Sequence, residues 1–197
     1  MHKNRLEAFS DGVLAIAITI MVLELKVPHG ESLDSVVGLW PVFASYVLSF
    51  IYIGIYWNNH HHMLQSVGHV DGAVLWSNLH LLFWLSLIPF TTGWMGENHF
   101  ARLPTLFYGG NLLACAIAYY ILQGTLRRIE GRHSLLERAI GSDWKGKISP
   151  VLYILGMLGD WFIAPFVGLM FYAGTALIWL VPDRRFERAL KPERSEQ

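Results

Sequence analysis

Charged side chains are scarce in this sequence, and the two signs balance. Lys, Arg, Asp and Glu make up 15% of the 197 residues, whereas soluble domains average about 25%. The 15 basic and 15 acidic residues give a formal net charge of zero, so the chain lacks the basic surface that nucleic acids require. Because 53% of the residues are hydrophobic, the composition predicts an integral membrane protein of one domain.

Cysteine is nearly absent too. The single Cys115 lies in an apolar run, which excludes a disulfide framework or a thiolate metal site within one chain. The N-terminus superficially resembles a signal peptide, with a few basic residues before an apolar run. Glu7 and Asp11 occupy the place of the basic region, however, and more apolar segments follow. We therefore expect the first segment to be retained.

The chain divides into six hydrophobic segments, which predict an all-α membrane protein with six transmembrane helices. They lie near residues 5–26, 41–63, 72–95, 104–126, 148–160 and 162–181. The fifth is short, and a break at Gly159–Asp160 separates it from the sixth, with which it forms either a tight hairpin or one bent unit. Residues 127–147 are polar and long enough for a short surface helix. Residues 1–182 are then the transmembrane domain and residues 183–197 a charged tail.

Lys and Arg are distributed unevenly between the two sides that six spans define. With the N-terminus inside, these residues precede the first span, fill the stretch between the fourth and fifth, and recur in the tail. This places 13 of the 15 on the inner side and leaves Lys26 and Arg102 outside. The positive-inside rule therefore predicts that both termini are cytoplasmic.

Five residues of the first hydrophobic segment form a mostly apolar stripe along one face of the predicted helix. At 100° per residue, the members of this stripe fall within an arc of about 100°. The opposite face, with Leu14, Ile18, Met21 and Leu25, is equally apolar, and a helix that is apolar all round is usually buried or lipid-facing. The stripe therefore fits ordinary helix packing as well as a special role. Its members are Gly12, Ile16, Thr19, Ile20 and Leu23.

The polar start of this segment needs partners. Arg5, Glu7, Ser10 and Asp11 are costly to expose to hydrocarbon, so they face protein, water or the membrane surface. Ser10–Asp11 is also compatible with a helix N-cap at the interface. The second segment ends at the same depth with a run of polar and aromatic side chains, from which we expect hydrogen bonds of Asn59 or His61 to the Arg5–Asp11 group. The run comprises Trp57, Asn58, Asn59, His60, His61 and His62.

The histidines of the chain predict no metal site. Adjacent residues on a helix point about 100° apart, so His60, His61 and His62 do not converge on one zinc ion; exposed interfacial histidines are the other interpretation. In the third segment, His80 follows Ser77 and Asn78. There we favour an interhelical hydrogen bond as the role of His80.

Arg5 followed by Phe9-Ser10-Asp11 reproduces an Arg-x3-Phe-Ser-Asp signature. In this and in the Trp-plus-His end of the second segment, the chain resembles the bacterial branch of the transmembrane protein 175 family, potassium channels of lysosomes and their bacterial relatives. The resemblance covers the six-span layout. It implies a homotetramer in the cell (inner) membrane of a bacterium, with the first helices around one central pore that conducts potassium ions, and with no cofactor.

The resemblance also implies roles for individual residues. Ile16, Ile20 and Leu23 match the apolar layers that constrict the family's pore, and Thr19 matches a nearby hydroxyl. A second set matches the structural network that holds the first helix. This set comprises Arg5, Phe9, Ser10 and Asp11, with Trp57, Asn59 and His61 as partners.

The chain contains no Thr-Val-Gly-Tyr-Gly-like filter. A pore without a carbonyl cage controls ions by dewetting or constriction at apolar rings, so selectivity for potassium over sodium is expected to be weak. A secondary transporter is the alternative function, since Pro89 and Pro165 are placed to break helices, but the two halves show no matching pattern. No spacing typical of a catalytic site occurs, so we expect no enzyme. A purely structural membrane subunit is the remaining class.

Overall fold

Helices account for all the regular structure of the described residues, which are 3–130 and 143–180 of a computed structural model. Five of them carry most of the first four predicted segments, the third being divided between two helices. The predicted all-α class is confirmed for these ranges. In chain order the helices are α1 (Lys3–Leu23), α2 (Leu33–Val37), α3 (Trp40–Gln65), α4 (Gly72–Ser86), α5 (Ile88–Glu97), α6 (Arg102–Glu130), α7 (Trp144–Phe162) and α8 (Pro165–Leu180).

Four helical stretches are long and apolar enough to cross a membrane. They are α1, α3, α6 and the pair α4–α5, which together span Gly72–Glu97. Helix α8 is apolar but has 16 residues, and the 19-residue α7 is not among the four. The first four predicted spans are thus present as helices of spanning length, and the fifth and sixth stay predictions.

The third segment is broken between α4 and α5. Pro89 lies in the first turn of α5 and has no backbone N–H to donate to the preceding turn, and its ring crowds the carbonyl four residues earlier. The amide of Asn111, on α6, is oriented by its partners: its oxygen accepts from the Ile88 N–H at 3.2 Å and its nitrogen donates to the Trp84 carbonyl at 3.1 Å. A side chain from another helix therefore satisfies backbone groups at the break.

The predicted break at Gly159–Asp160 is wrong. Helix α7 continues to Phe162, and the turn falls immediately before Pro165. The Gly159 carbonyl accepts from the N–H groups of Ile163 and Ala164, which closes the helix. Gly159 instead permits close approach, because a Cβ there would overlap Val167 of α8. Helices α7 and α8 form the tight hairpin rather than one bent unit.

Two other predictions are only partly covered by the structure. Within residues 127–147, α6 extends through Glu130 and α7 begins at Trp144, with Asp143 accepting from the Gly146 N–H at its N-terminus. Residues 131–142, the centre of the predicted surface helix, lie outside the described residues. The charged tail at 183–197 lies outside them as well.

Glycines bring α6, α7 and α8 together around a buried tyrosine. Tyr172 of α8 is fully buried, and a Cβ on Gly109 of α6 would overlap its hydroxyl group. Gly156 of α7 faces the same ring. The ring of Tyr108 packs 5.9 Å from that of Tyr172, centroid to centroid. The absence of side chains at these glycines sets the spacing of the three helices.

Gly109→Ala is therefore expected to destabilise the protein by about 1–3 kcal/mol, the usual cost of overpacking a close-packed interior. The matched control is Gly110→Ala in the next position of the same helix, where an added Cβ meets no atom within 4 Å. The measurement is the thermal midpoint of the purified protein in detergent. Equal midpoints for the two variants would contradict the packing role of Gly109.

Candidate pore helix and its anchoring network

Helix α1 has one face that packs against its own subunit. The buried side chains recur every three to four residues and contact α3, α4 and α5. Leu14 and Met21, predicted to face away from the stripe, are buried, and Ile18 and Leu25 are half-buried. The buried set is Leu6, Ser10, Leu14, Ala17 and Met21.

The other face of α1 is bare. Ile16 is 58% exposed, Ile20 45% and Leu23 77%. Gly12 and Thr19 are exposed between them, and the Thr19 hydroxyl donates to carbonyls of its own helix, at Ala15 and Ile16. The five residues Gly12, Ile16, Thr19, Ile20 and Leu23, here called the α1 stripe, are thus largely uncovered by the subunit's own helices.

A chain of buried hydrogen bonds holds the foot of α1. His60 Nε2 on α3 lies 2.8 Å from Asn78 Oδ1 on α4. The amide nitrogen of the same residue, Asn78 Nδ2, donates to Ser10 Oγ at 3.0 Å. Ser10 Oγ then donates to the carbonyl of Leu6 at 2.8 Å. Since the Asn78 oxygen is an acceptor, the proton of this contact is assigned to His60 Nε2. These hydrogen bonds between polar side chains join α1, α3 and α4.

A second, more exposed layer joins α1 to α3 alone. Trp57 Nε1 donates to Asp11 Oδ1 at 3.0 Å. His61 Nδ1 lies 2.9 Å from Glu7 Oε1, and its other ring nitrogen is 2.8 Å from Gln65 Nε2. The rings of Trp57 and His61 stack 6.0 Å apart. The carboxylates at the start of α1 therefore both have partners on α3.

The structure brings some of the residues singled out in the sequence together and leaves others apart. The structure brings Asp11 next to Trp57, but Asn59 Nδ2 donates to the Ile55 carbonyl of its own helix, and His61 contacts Glu7 rather than Asp11. His60 and Asn78, the buried partners of Ser10, were missed as a pair. The sequence feature that could have identified this pair is that His60, Asn78 and Ser10 lie at the same depth in the membrane.

Three further residues complete the comparison with the predictions. Arg5 and Phe9 are exposed on the bare side of α1. His80, predicted to bond between helices, instead accepts from Trp84 Nε1 of the same helix at 3.0 Å. Among the described residues, no group of three or more His, Cys, Asp or Glu side chains is arranged to hold a metal ion.

An open groove of about 390 Å³ runs beside the α1 stripe. Ile16 and Ile20 form one wall, and Pro89 and Phe90, at the start of α5, form the other. Its lining is predominantly apolar, and Glu24 lies at one end. The groove and the stripe together make a continuous apolar surface that the subunit leaves uncovered.

An ion pair joins the segment after α1 to the end of α5. Lys26 Nζ contacts Glu97 Oε1. The hydrogen bond that Lys26 donates to this carboxylate, and then the negative charge of the carboxylate, raise the pKa of Lys26 above its usual value. Both side chains are substantially exposed, so the pair contributes little stability.

The fold and the site define an all-helical, multi-pass membrane protein whose first helix keeps one apolar face free. Residues 5–89 match the model of the family described as endosomal/lysosomal potassium channel TMEM175. A potassium channel of Chryseobacterium sp. (strain P1-3) is 56% identical over 191 residues, which are 97% of this chain and 99% of that protein. The chain belongs to the TMEM175 family.

Two further relatives agree with this assignment. A potassium channel of Streptomyces collinus is 38% identical over 135 residues, 64% of this chain and 66% of that protein. The crystal structure of a lysosomal potassium-selective channel TMEM175 homolog from Chamaesiphon minutus superimposes with a TM-score of 0.80. It is 30% identical, and the match covers 96% of this chain and 98% of the other. The predicted family membership is confirmed over nearly the whole chain.

Removing the central amide of the buried chain tests its role. We expect Asn78→Ala to lower the free energy of unfolding by about 1–3 kcal/mol, because Ser10 and His60 lose a buried partner. Asn59→Ala is the control, since that amide bonds only to its own helix. Thermal midpoints of the purified variants decide between them. If Asn59→Ala is the more damaging change, the anchoring chain is not the one described.

Proposed function

We propose that the chain is one subunit of a potassium channel in which four copies surround a central pore lined by α1. The observation that carries the proposal is the bare α1 stripe: it is apolar and exposed, although α1 is otherwise packed against three helices. The family membership and the potassium-channel names of the bacterial relatives support the permeant ion. No cofactor takes part in this function.

Assembly around α1 explains why the stripe is apolar and uncovered. A symmetric ring brings four copies of the same helical face together on one axis. The groove beside the stripe, between α1 and the start of α5, offers each copy a surface for its neighbour. Burial of both surfaces then requires the oligomer rather than the single chain.

Rings of side chains on this face form the constriction. Ile16, Ile20 and Leu23 recur at three- and four-residue spacing, so successive rings are about 4.5–6 Å apart along the axis. Apolar rings of this kind restrict ions by dewetting and by width, since they offer no oxygen atoms in place of the hydration shell. The ion that sheds water more readily passes more easily, which gives a weak preference for potassium over sodium. Thr19 supplies a hydroxyl between the rings.

The orientation follows from the positive-inside distribution of Lys and Arg. We place both termini in the cytoplasm, six helices across the bacterial inner membrane, and the foot of α1 at the cytoplasmic mouth. The contacts of Ser10 with Asn78 and of Asp11 with Trp57 support a fixed position for that foot. Asp11 is half-buried beside Trp57, and its charge at this mouth also attracts cations.

The break between α4 and α5 is the observation that favours a secondary transporter, because transporter sites use discontinuous helices. Here, however, the Asn111 amide accepts a hydrogen bond from the Ile88 N–H and donates one to the Trp84 carbonyl at the break. Those two groups are therefore engaged and not free to bind substrate. We retain the channel as the proposed function.

Flux through liposomes tests the pore. Purified protein is expected to carry potassium down its gradient, and Ile16→Ala and Leu23→Ala are expected to raise the flux severalfold, because smaller rings widen and wet the constriction. Val22→Ala is the matched control: Val22 is also on α1 and 45% exposed, but it lies off the stripe. Parallel sodium gradients measure the preference between the two ions.

The outcomes separate the candidate functions. Flux that changes in the stripe variants and not in the control supports the α1 pore. Saturable flux with fixed stoichiometric coupling to a second solute would instead establish a transporter. Assembled protein without flux, in wild type and variants alike, contradicts an open pore constricted by these rings.

Disulfide crosslinking tests the assembly independently. Cys115 is the only cysteine of the chain and is buried, so Cys115→Ser provides a cysteine-free background. In that background Leu23→Cys is expected to form disulfide-linked dimers on oxidation, since four copies meet on the axis. Val22→Cys is expected to crosslink much less. Equal crosslinking at the two positions, measured on non-reducing gels, would contradict the proposed rotation of α1.

A further inference from the structure

Asp160 is a buried carboxyl group that the pore does not use. It lies near the C-terminal end of α7, and its exposed fraction is 0%. Neither of its two oxygens has a hydrogen-bond partner. A buried polar group without a partner is unfavourable, and an ionised one is far more so.

A second buried polar group without a partner lies beside it. The hydroxyl of Tyr172, on α8, is fully buried and makes no hydrogen bond. A Cβ on Gly168 would lie 3.1 Å from Asp160 Cβ, 3.2 Å from the Gly156 carbonyl oxygen and 3.3 Å from Tyr172 Oη. The Asp160 side chain and the Tyr172 hydroxyl therefore adjoin the same glycine, and a side chain at position 168 would crowd both.

The ionisable groups of the neighbouring helices do not neutralise Asp160. On α6, Arg102 acts on the carboxyl electrostatically but is exposed and forms no ion pair with it, and the Tyr108 hydroxyl pairs with Ser49 of α3. On α3, the Tyr52 hydroxyl donates to the carbonyl of Tyr172. Within the described part of the chain, no cation contacts the carboxyl oxygens.

We propose that Asp160 is a proton-binding site: in the assembled protein it holds a proton at neutral pH, and the packing of α6, α7 and α8 depends on that proton. A neutral carboxyl avoids the cost of burying a charge. A proton also needs no cavity, whereas a metal ion requires space and several oxygen ligands. The glycine contacts that close the site favour the smaller ligand.

Loss of the proton has a structural consequence. An ionised Asp160 requires water or the Arg102 guanidinium, and both must enter between closely packed helices. Gly109, Gly156 and Gly168 hold those helices together around Tyr172. Alkaline solution is therefore expected to loosen this end of the three-helix unit, while the α1 network, which lies on other helices, is not involved.

Infrared spectroscopy tests the proton directly. Purified oligomer containing [13C]aspartate is expected to show a protonated-carboxyl C=O band at neutral pH, a condition under which solvated Asp is ionised. Asp160→Asn should abolish the band. An Asp34→Asn control should keep it, because Asp34 is on the exposed α2. Absence of the band in wild type, or its persistence in Asp160→Asn, overturns the proposal. A band that disappears on adding potassium or sodium also overturns it, in favour of a cation site.

Thermal stability supplies the second readout. As the solution is made alkaline, the wild-type midpoint is expected to fall by several degrees relative to Asp160→Asn, which has no charge to bury. Asp34→Asn should follow wild type. Parallel pH profiles for wild type and Asp160→Asn overturn the dependence of packing on this proton. If Asp160→Asn does not assemble, the labelled wild-type spectrum still decides whether an aspartic acid is protonated at neutral pH.

Discussion

Polar side chains inside an apolar bundle must find their hydrogen bonds within the protein, and the foot of α1 depends on this constraint. Ser10 is fully buried and is reached by Asn78, which in turn holds His60. Any rotation of α1 about its axis would remove Ser10 from Asn78 and leave buried groups unpaired. The same contact therefore fixes which face of α1 turns inward, and so which face is left bare.

The exposed face of α1 is the surface on which the proposed function depends. Leu14 and Met21 are buried on one side of α1 against the subunit, while Ile16, Ile20 and Leu23 on the other side are exposed. For a membrane protein an apolar surface is not by itself anomalous, since lipid covers it equally well. Its position beside an open groove, on a helix anchored at its foot, distinguishes it from an ordinary lipid-facing surface.

The remainder of the subunit is built on close approach rather than on polar pairing. Gly109, Gly156 and Gly168 admit the ring and hydroxyl of Tyr172 among three helices. Such small residues allow the backbone proximity by which helices associate in membranes. The exception is Asp160, an ionisable group placed where the packing is tightest. The α1 network satisfies its polar groups by hydrogen bonds, and the site at Asp160 does so by remaining uncharged.

The sequence by itself determined the helical class, four segments of spanning length and the five-residue stripe on α1, because these follow from local apolar runs and the 3.6-residue period. The tertiary structure decided which side chains contact one another. Asn78 rather than Asn59 reaches α1, and His61 meets Glu7 rather than Asp11, because partners depend on the rotation of each helix about its axis. Gly159 looked like a helix end, but the helix continues past it, and the glycine is needed there because Val167 packs where a side chain would be. Local sequence sets periodicity and length; the choice among equally apolar faces, and among polar partners at one depth, is made only when the helices pack.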